Sequence, residues 1–292
     1  MTRYLQSFAL AAILVFAGFS GTNAQTMRTW VSGKGSDSNP CSLAQPCRTF
    51  AHAISQTAAS GEVDVLDPAG YGAFTITQSI SIMNDGVGTA GVQAGSGATA
   101  ITINAGTNDT VHLRGLTVEG ANVATNGIVL NSGGSLTVAN CTVRHFTSYG
   151  ILVAPVGTKT QLLVTNSLVL DNAVVGIYIA PQNDSHTLAI GQVQASIDRV
   201  TVSHSQYGFD LYGGFNSSYP SSIIISNSNI TFNVTGLYVY MPNVFITKNI
   251  ISGNATGIDL KYNDIYSYND NDIYPNTTPL AGGGHISSAP PF

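Results

Sequence analysis

The stretch LLVTNSLVLDNAVVGIYIA, from Leu162 to Ala180, contains three short apolar segments separated by polar bends. Asn166 lies at the first bend, Asp171 at the second, and Gly176 begins the last segment. Asn and Asp are common at tight bends because their side chains bond nearby backbone and they tolerate left-handed backbone angles. The pattern predicts three short strands, a unit too small to bury its apolar side chains alone.

The same order of segments recurs along the chain, so this unit is one copy of a repeat. A glycine followed by an apolar residue returns at intervals of 21 to 32 residues: Gly127-Ile128, Gly150-Ile151, Gly176-Ile177, Gly208-Phe209, Gly236-Leu237 and Gly257-Ile258. Equivalent strands of successive coils can stack in parallel about 4.8 Å apart and bury one column of side chains. The repeat predicts an all-β fold, a right-handed parallel β-helix with three strands per coil. An antiparallel sandwich also uses short strands, but it does not explain the repeated Asn-then-Gly order.

Composition agrees with this fold class and excludes one class of partner. The chain has 292 residues, 31 of them Gly, and only 9% are charged, with a net charge of −5. Its ten Lys and Arg are scattered. Without a basic stripe to neutralise phosphates, nucleic acid is not expected as a partner.

The N-terminus has the features of a secretory signal peptide. Arg3 precedes an apolar run that is too short to span a bilayer comfortably, and small residues follow it. We expect residues 1–24 to be removed on export, giving a secreted or periplasmic protein without a membrane span. Residues 25–292 would then form one domain, with the N-terminal cap and first coil at 25–83, further coils at 84–262, and a C-terminal cap or tail at 263–292.

Two of the three cysteines lie close together, in CSLAQPC from Cys41 to Cys47. A disulfide between them suits an oxidising compartment and would leave Cys141 unpaired. A metal site is the alternative, but His52 is the one further ligand nearby, and zinc normally takes four.

An amphipathic helix is expected to cover the open end of the first coil, where strand edges and core side chains would otherwise be exposed. Four apolar residues share one face at helical spacing, with Thr49 as the predicted N-cap and Gly61 as the predicted end: Phe50, Ala53, Ile54 and Ala58.

The N-terminal stretch WVSGKGSDSNPCSLAQPCRTFAHAI, from Trp30 to Ile54, is followed by GEVDVLDPAGYG, from Gly61 to Gly72. Together these segments resemble the opening of secreted right-handed β-helix repeat proteins of the pectin lyase-like superfamily. The resemblance implies the fold over most of the exported chain. It does not imply one chemistry, because the superfamily includes pectate lyases, polygalacturonases, alginate epimerases, phage tailspikes and proteins with no assigned activity.

The catalytic motifs of those enzymes do not occur in this sequence. Neither Gly-His-Gly nor Asp-Pro-His-Asp is present, and Asp67 begins only a partial match, DPAG. Adjacent coils supply no obvious carboxylate cluster with a Lys or Arg base, as a calcium-dependent lyase would need. We therefore predict no cofactor and no metal, with calcium unsupported.

The segments GFDLY, from Gly208 to Tyr212, and GIDLK, from Gly257 to Lys261, each place an aspartate within an apolar strand. Because side chains alternate along a strand, Asp210 and Asp259 should point outward on one face, two coils apart. The same face should carry four tyrosines and a lysine: Tyr178, Tyr212, Tyr238, Tyr240 and Lys261.

This outward face predicts a partner of the carbohydrate class. Tyrosine rings pack on the apolar C–H surfaces of sugars, and long insertions follow the same strand after Ala180 and Tyr212. We expect a polysaccharide or cell-surface glycan to bind here, or the protein to serve a surface or structural role. The alternative is a hydrolase or lyase with Asp210 and Asp259 as acid and base, about 9.5 Å apart along the axis. A plainly solvated surface is the third interpretation.

A second cluster of titratable residues is predicted at the bend before the glycine strand. Stacked at coil spacing, it could hold a metal or share a proton: His145, Asp171 and His204, beside Arg144. The bend also contains Asn172, Asn233 and Asn254, and this favours an ordinary solvated corner.

Overall fold

A computed structural model describes residues 25–181, 191–213 and 220–289. The chain winds as a coil whose strands form three parallel sheets, each built from one strand of successive turns. The predicted signal peptide at 1–24 lies outside the described residues. Among those that are described, no helix has the length and apolar character needed to cross a lipid bilayer.

The three sheets are named here in the order in which the chain visits them within a coil. Sheet 1 has 11 strands: Thr26–Val31, Thr57–Val65, Ile80–Met83, Thr110–Arg114, Ser135–Ala139, Lys159–Thr165, Gln192–Asp198, Ser222–Ser226, Val244–Thr247, Ile265–Ser267 and Ile286–Ser288. Sheet 2 has eight: Ala69–Gly70, Ala90–Gln93, Leu116–Glu119, Thr142–Arg144, Leu168–Leu170, Thr201–Ser203, Asn229–Thr231 and Ile250–Ser252. Sheet 3 has nine: Phe74–Ile76, Thr99–Asn104, Asn126–Ser132, Tyr149–Val153, Val175–Ile179, Tyr207–Tyr212, Thr235–Tyr240, Thr256–Leu260 and Thr278–Gly282.

The register of sheet 3 follows the predicted repeat. Ile128 pairs with Ile151, Ile151 with Ile177, and Ile177 with Phe209, and the series continues through Leu237 to Ile258. All six of these side chains are fully buried. Burying one such side chain stabilises the fold by roughly 1.5–3 kcal/mol, so each aligned column favours one register.

A glycine is the second residue in six of the nine sheet 3 strands, and it is required by close packing between coils. A Cβ added at Gly236 would lie 2.5 Å from the Gly257 carbonyl oxygen and 3.1 Å from Asn254 Nδ2. The glycine column therefore lets the backbone of one coil approach the next at the corner before sheet 3.

The asparagines predicted at the bend between sheets 1 and 2 have left-handed backbones. Asn140, Asn166 and Asn227 have φ of 54°, 49° and 48°. This prediction is confirmed, and it explains why Asn recurs there, since Asn adopts this region at little cost.

The bend between sheets 2 and 3 is different from the predicted solvated corner. Asn172, Asn233 and Asn254 are almost fully buried and form part of a ladder inside the coil. Asn254 Oδ1 accepts the Asn233 backbone N–H at 2.9 Å, and Asn254 Nδ2 donates to the Ile230 carbonyl at 2.9 Å. Backbone groups at a tight corner lack partners within their own strand, so these amides supply them.

A second buried ladder lies inside the bend between sheets 1 and 2. Ser228 N–H donates to Asn249 Oδ1 at 3.0 Å, and Asn249 N–H donates to Asn271 Oδ1 at 2.9 Å. Both bends of these coils are thus held by side-chain amides and hydroxyls that connect one coil to the next.

The predicted capping helix is present but shorter than expected. It runs from Phe50 to Gln56, with the Thr49 hydroxyl accepting the His52 backbone N–H at 3.2 Å. The expected end at Gly61 is wrong, and Ala58 lies in a strand. Thr57 ends the helix because its hydroxyl binds the Ala53 carbonyl at 2.7 Å while its backbone is already extended.

The cysteines follow the disulfide prediction. Cys41 and Cys47 are joined, with their Cα atoms 4.6 Å apart, and Cys141 is a buried free thiol. His52 lies close enough to the two sulfurs to complete a group of three potential ligand atoms. Sulfurs bonded to each other are not thiolates, so this group does not have the donor set of a zinc site.

Replacing Asn254 by alanine should lower the free energy of unfolding by about 2–4 kcal/mol, because the Asn233 N–H and the Ile230 carbonyl lose their buried partner. Urea unfolding followed by circular dichroism measures the change. Asn131→Ala is the matched control, because Asn131 is exposed on sheet 3 and bonds only the neighbouring Asn104 side chain at 2.9 Å. Equal effects of the two substitutions would contradict a structural role for the buried ladder.

Candidate functional site

All seven residues predicted for the first site lie on or directly beside the outward face of sheet 3, as the alternation of side chains requires. Tyr178 pairs with Asp210, Asp210 with Tyr238, and Tyr238 with Asp259, in four successive strands. Each of these side chains is partly exposed. Their neighbours two residues on include Tyr212, which is 49% exposed and pairs with Tyr240, and Lys261.

The outward column is not uniformly open. Val129, Ala154 and Ala180 also belong to outward positions, but they are at least 92% buried and lie outside the main core cluster. Asn131 is exposed earlier on this face, and the predicted column of tyrosines and aspartates begins at Tyr178. The predicted insertions after Ala180 and Tyr212 fall largely in 182–190 and 214–219, outside the described residues.

Asp210 is a carboxyl in an environment that disfavours its charge. Its Oδ1 is shielded from solvent and has no hydrogen-bond partner among the described residues. Burial raises the pKa of Asp210 to about 6, because an ionised carboxylate loses hydration on leaving water. A large fraction of Asp210 is thus protonated near pH 6.

Asp259 occupies the same position two coils later but has a cationic partner. Lys261 Nζ lies 2.8 Å from Asp259 Oδ2 and 5.2 Å from the centre of the Tyr238 ring. The hydrogen bond to Asp259 raises the pKa of Lys261 above its usual value. Lys261 therefore stays charged and connects the second carboxylate with the tyrosine between the two.

The tyrosines form pairs across successive coils. The ring centres of Tyr149 and Tyr178 are 5.3 Å apart, as are those of Tyr207 and Tyr238. Tyr212 stacks on Tyr240 at 5.1 Å. Burial raises the pKa of Tyr178 to about 12, with the nearby Asp210 charge as a smaller cause. The Tyr178 phenol therefore remains a neutral donor at physiological pH.

Sequence reasoning missed three tyrosines of this surface. Tyr149 and Tyr207 directly precede Gly150 and Gly208, and Tyr262 lies 5.4 Å from the Tyr240 ring. The signal was available, because a residue before the repeated glycine occupies one column in every coil. The rings of Tyr149 and Tyr207 reach the outward face and contact the predicted column.

The second predicted cluster is also brought together, on the outside of the bend between sheets 2 and 3. His145 Nε2 lies 3.9 Å from Asp171 Oδ2, and His204 Nδ1 lies 3.8 Å from Asp171 Oδ1. Left-handed φ values of 61°, 54° and 57° at the three residues direct the side chains outward. In the described chain, three ligand atoms of this cluster do not all lie within 4.8 Å of one another.

Glu119 extends this cluster and was not predicted. His145 Nδ1 lies 2.8 Å from Glu119 Oε1, and Arg144 Nε donates to Oε2 at 2.8 Å. Burial opposes ionisation of Glu119, but hydrogen bonds from the Ala121 N–H, His145 and Arg144 hold its pKa below the usual value. The cluster forms a ladder of alternating carboxyl and basic side chains along the corner, an arrangement that lends itself to a structural role.

Comparisons with known proteins agree with the fold. A family model described as a right-handed beta helix region matches residues 161–288. The crystal structure of pectate lyase Pel9A is similar, with a TM-score of 0.58, 16% sequence identity, and coverage of 91% of this chain and 77% of that one. A rhamnogalacturonan lyase gives a TM-score of 0.42 at 12% identity, covering 81% and 75%. The comparison with curated protein sequences finds no match.

Replacing Asp210 by asparagine should raise the free energy of unfolding more at pH 8 than at pH 4. The folded-state pKa of about 6 lies above the ordinary pKa of an aspartate in an unfolded chain, so the folded state binds the proton more tightly. The free energy of unfolding of the wild-type protein therefore falls as pH rises from the ordinary aspartate pKa to about 6. Asparagine does not titrate, so the variant avoids this loss, and its gain in stability over the wild type should be about 1–2 kcal/mol larger at pH 8 than at pH 4. Unfolding by urea at pH 4, 6 and 8 measures it.

Asp259→Asn is the matched control for this titration. It removes the partner of Lys261, so it should not stabilise the protein at pH 8. If Asp210→Asn changed the free energy of unfolding equally at every pH, the assigned titration would be wrong.

Proposed function

We propose that this right-handed parallel β-helix binds a polysaccharide or cell-surface glycan on the outward face of sheet 3. One observation carries the proposal. Tyrosine rings are paired across successive coils of this face, around the column of Asp210, Tyr238 and Asp259. Sugars bind such surfaces by packing C–H groups on the rings and sharing hydrogen bonds with adjacent polar groups.

The dimensions of the face suit an extended chain rather than a single small molecule. The polar column from Tyr178 to Asp259 crosses four adjacent strands, so it spans about 14 Å along the coil axis. Ring pairs lie at two levels along it, because the pairs Tyr207–Tyr238 and Tyr212–Tyr240 join the same two strands. A linear glycan lying along the axis could contact several rings at once, and this repetition gives affinity from individually weak contacts.

We also propose that the protein is exported. The disulfide between Cys41 and Cys47 is the kind of bond that persists in oxidising compartments. The remaining thiol, Cys141, is buried, and burial raises its pKa to about 11, so it is protected from reaction. A secreted or periplasmic location also places the tyrosine face where polysaccharides occur.

Truncating a tyrosine of this face should weaken glycan binding. We expect Tyr212→Ala to reduce affinity for a bound polymer by about tenfold, because it removes one ring of the stacked pair with Tyr240. Affinity electrophoresis in gels that contain pectins, glucans or mannans measures the change.

A matched control lies on another sheet. Tyr266 stacks on Phe245 at 5.1 Å, the same ring separation as the Tyr212 pair, but on the outward face of sheet 1. Tyr266→Ala should leave binding unchanged. Equal loss in both variants, or loss in Tyr266→Ala alone, would reject sheet 3 as the binding face.

A second candidate function, glycoside cleavage, is favoured by the different environments of the two carboxyls. Asp210, with a pKa of about 6, suits a general acid, while Asp259 is held as a charged partner of Lys261. Their strands are two spacings apart, about 9.5 Å, near the upper end of the separation in inverting glycosidases.

Cleavage predicts that release of reducing ends is abolished in both Asp210→Asn and Asp259→Asn. Wild-type activity should decline above pH 6 as Asp210 loses its proton. Glycan binding without product in the wild-type protein would reject catalysis and leave the binding function intact.

A further inference from the structure

Charged residues are nearly excluded from sheet 3. In its nine strands, all of which are described, the charged side chains are Asp210 and Asp259. Lys261 follows directly after the last residue of the Asp259 strand.

The single lysine is already engaged. Lys261 Nζ is 2.8 Å from Asp259 Oδ2 and also faces the Tyr238 ring. A sugar carboxylate could recruit this ammonium only by competing with Asp259, which would then lose its counter-ion. Pairing with an acidic sugar is therefore opposed at the one position where a cation exists.

Asp210 adds a second obstacle for acidic ligands. It has no cationic partner among the described contacts, and its Oδ1 is shielded from water. An anionic sugar unit beside the ionised carboxylate would face a like charge in a partly desolvated environment, where repulsion is stronger than in bulk water.

A calcium bridge does not resolve this conflict. Calcium takes six to eight oxygen ligands, usually several from carboxylates. Sheet 3 offers two carboxylates that are separated by the Tyr238 strand, and one of them is paired with Lys261. These residues do not fit a calcium site that would hold an acidic polymer.

The contacts that the tyrosine rings of this face make with a sugar do not depend on the charge of the ligand. Tyrosine rings at Tyr178, Tyr207 and Tyr212 form cross-coil pairs, and such rings pack equally well on neutral sugars. Hydroxyl groups of a neutral sugar can also donate to carboxylates, which a sugar carboxylate cannot do.

We propose that the sheet 3 face selects an uncharged glycan, either a neutral polysaccharide or an esterified uronate polymer, and discriminates against a free polyuronate. This inference rests on the proposed glycan-binding function and names the ligand class of the same site.

The test compares polymers that differ only in charge. Polygalacturonate and the same polymer after complete methyl esterification are immobilised, and binding of the purified protein is measured by biolayer interferometry at pH 8 and low salt, with a neutral β-glucan as a third surface. We expect an uncharged polymer to bind at least about fivefold more tightly than polygalacturonate, with the ratio falling as salt screens the repulsion.

A variant that removes the Asp210 charge shows whether charge repulsion or a mismatch in shape causes the discrimination against polygalacturonate. Asp210→Asn keeps the side-chain size, and it should reduce the discrimination ratio severalfold because polygalacturonate no longer meets the Asp210 charge. Asp85→Asn is the matched control, because Asp85 is an exposed carboxylate paired with Arg114 away from sheet 3. The wild-type ratio should also be smaller at pH 5 than at pH 8, since Asp210 is mostly protonated at pH 5.

The outcomes distinguish failure of this ligand preference from failure of glycan binding itself. Polygalacturonate binding that equals or exceeds binding of the uncharged polymers would overturn this inference and leave glycan binding standing. Binding of none of the three polymers, nor of any member of the wider pectin, glucan and mannan set, would overturn the proposed function and the inference with it.

Discussion

Hydrogen bonding between consecutive coils at the two buried corners is the interaction on which the structure depends. Parallel strands fix the spacing of coils, but strands of only two to nine residues leave backbone groups without partners where the chain turns. Asn254 and Asn276 serve those groups in one corner, and Asn249 and Asn271 serve them in the other. Each amide bonds the coil before it, so a shift of one residue would break a buried network as well as the apolar columns.

The surface site is a consequence of that fixed register. Asp210, Tyr238 and Asp259 come from strands that are far apart in sequence, and they meet only because each coil stacks on the next without slippage. The glycine column contributes directly, since a side chain at Gly236 would separate its coil from the next. A rigid parallel stack can thus present a repeating line of rings and carboxyls without a dedicated binding domain.

Much of the fold could be predicted because its determinants are local and repeated. A glycine followed by an apolar residue, and Asn140 or Asn166 at a left-handed bend, are visible in each copy. The buried ladder was misjudged because Asn233 and Asn254 are polar residues in a polar segment, and sequence alone does not show that the turn directs their amides inward. The helix end was missed for a similar reason, because Thr57 closes the helix through a hydroxyl bond that propensity does not reveal.

The candidate site was predictable in position but not in electrostatics. The segments GFDLY and GIDLK look equivalent, and both aspartates take the same place on the sheet. The residue two positions later makes the difference, because it lies on the same side of the strand: Lys261 neutralises Asp259, whereas Tyr212 offers Asp210 no charge. Two copies of one repeat therefore hold one carboxyl as an ion pair and leave the other easily protonated, and the face as a whole has no cation to offer an acidic ligand.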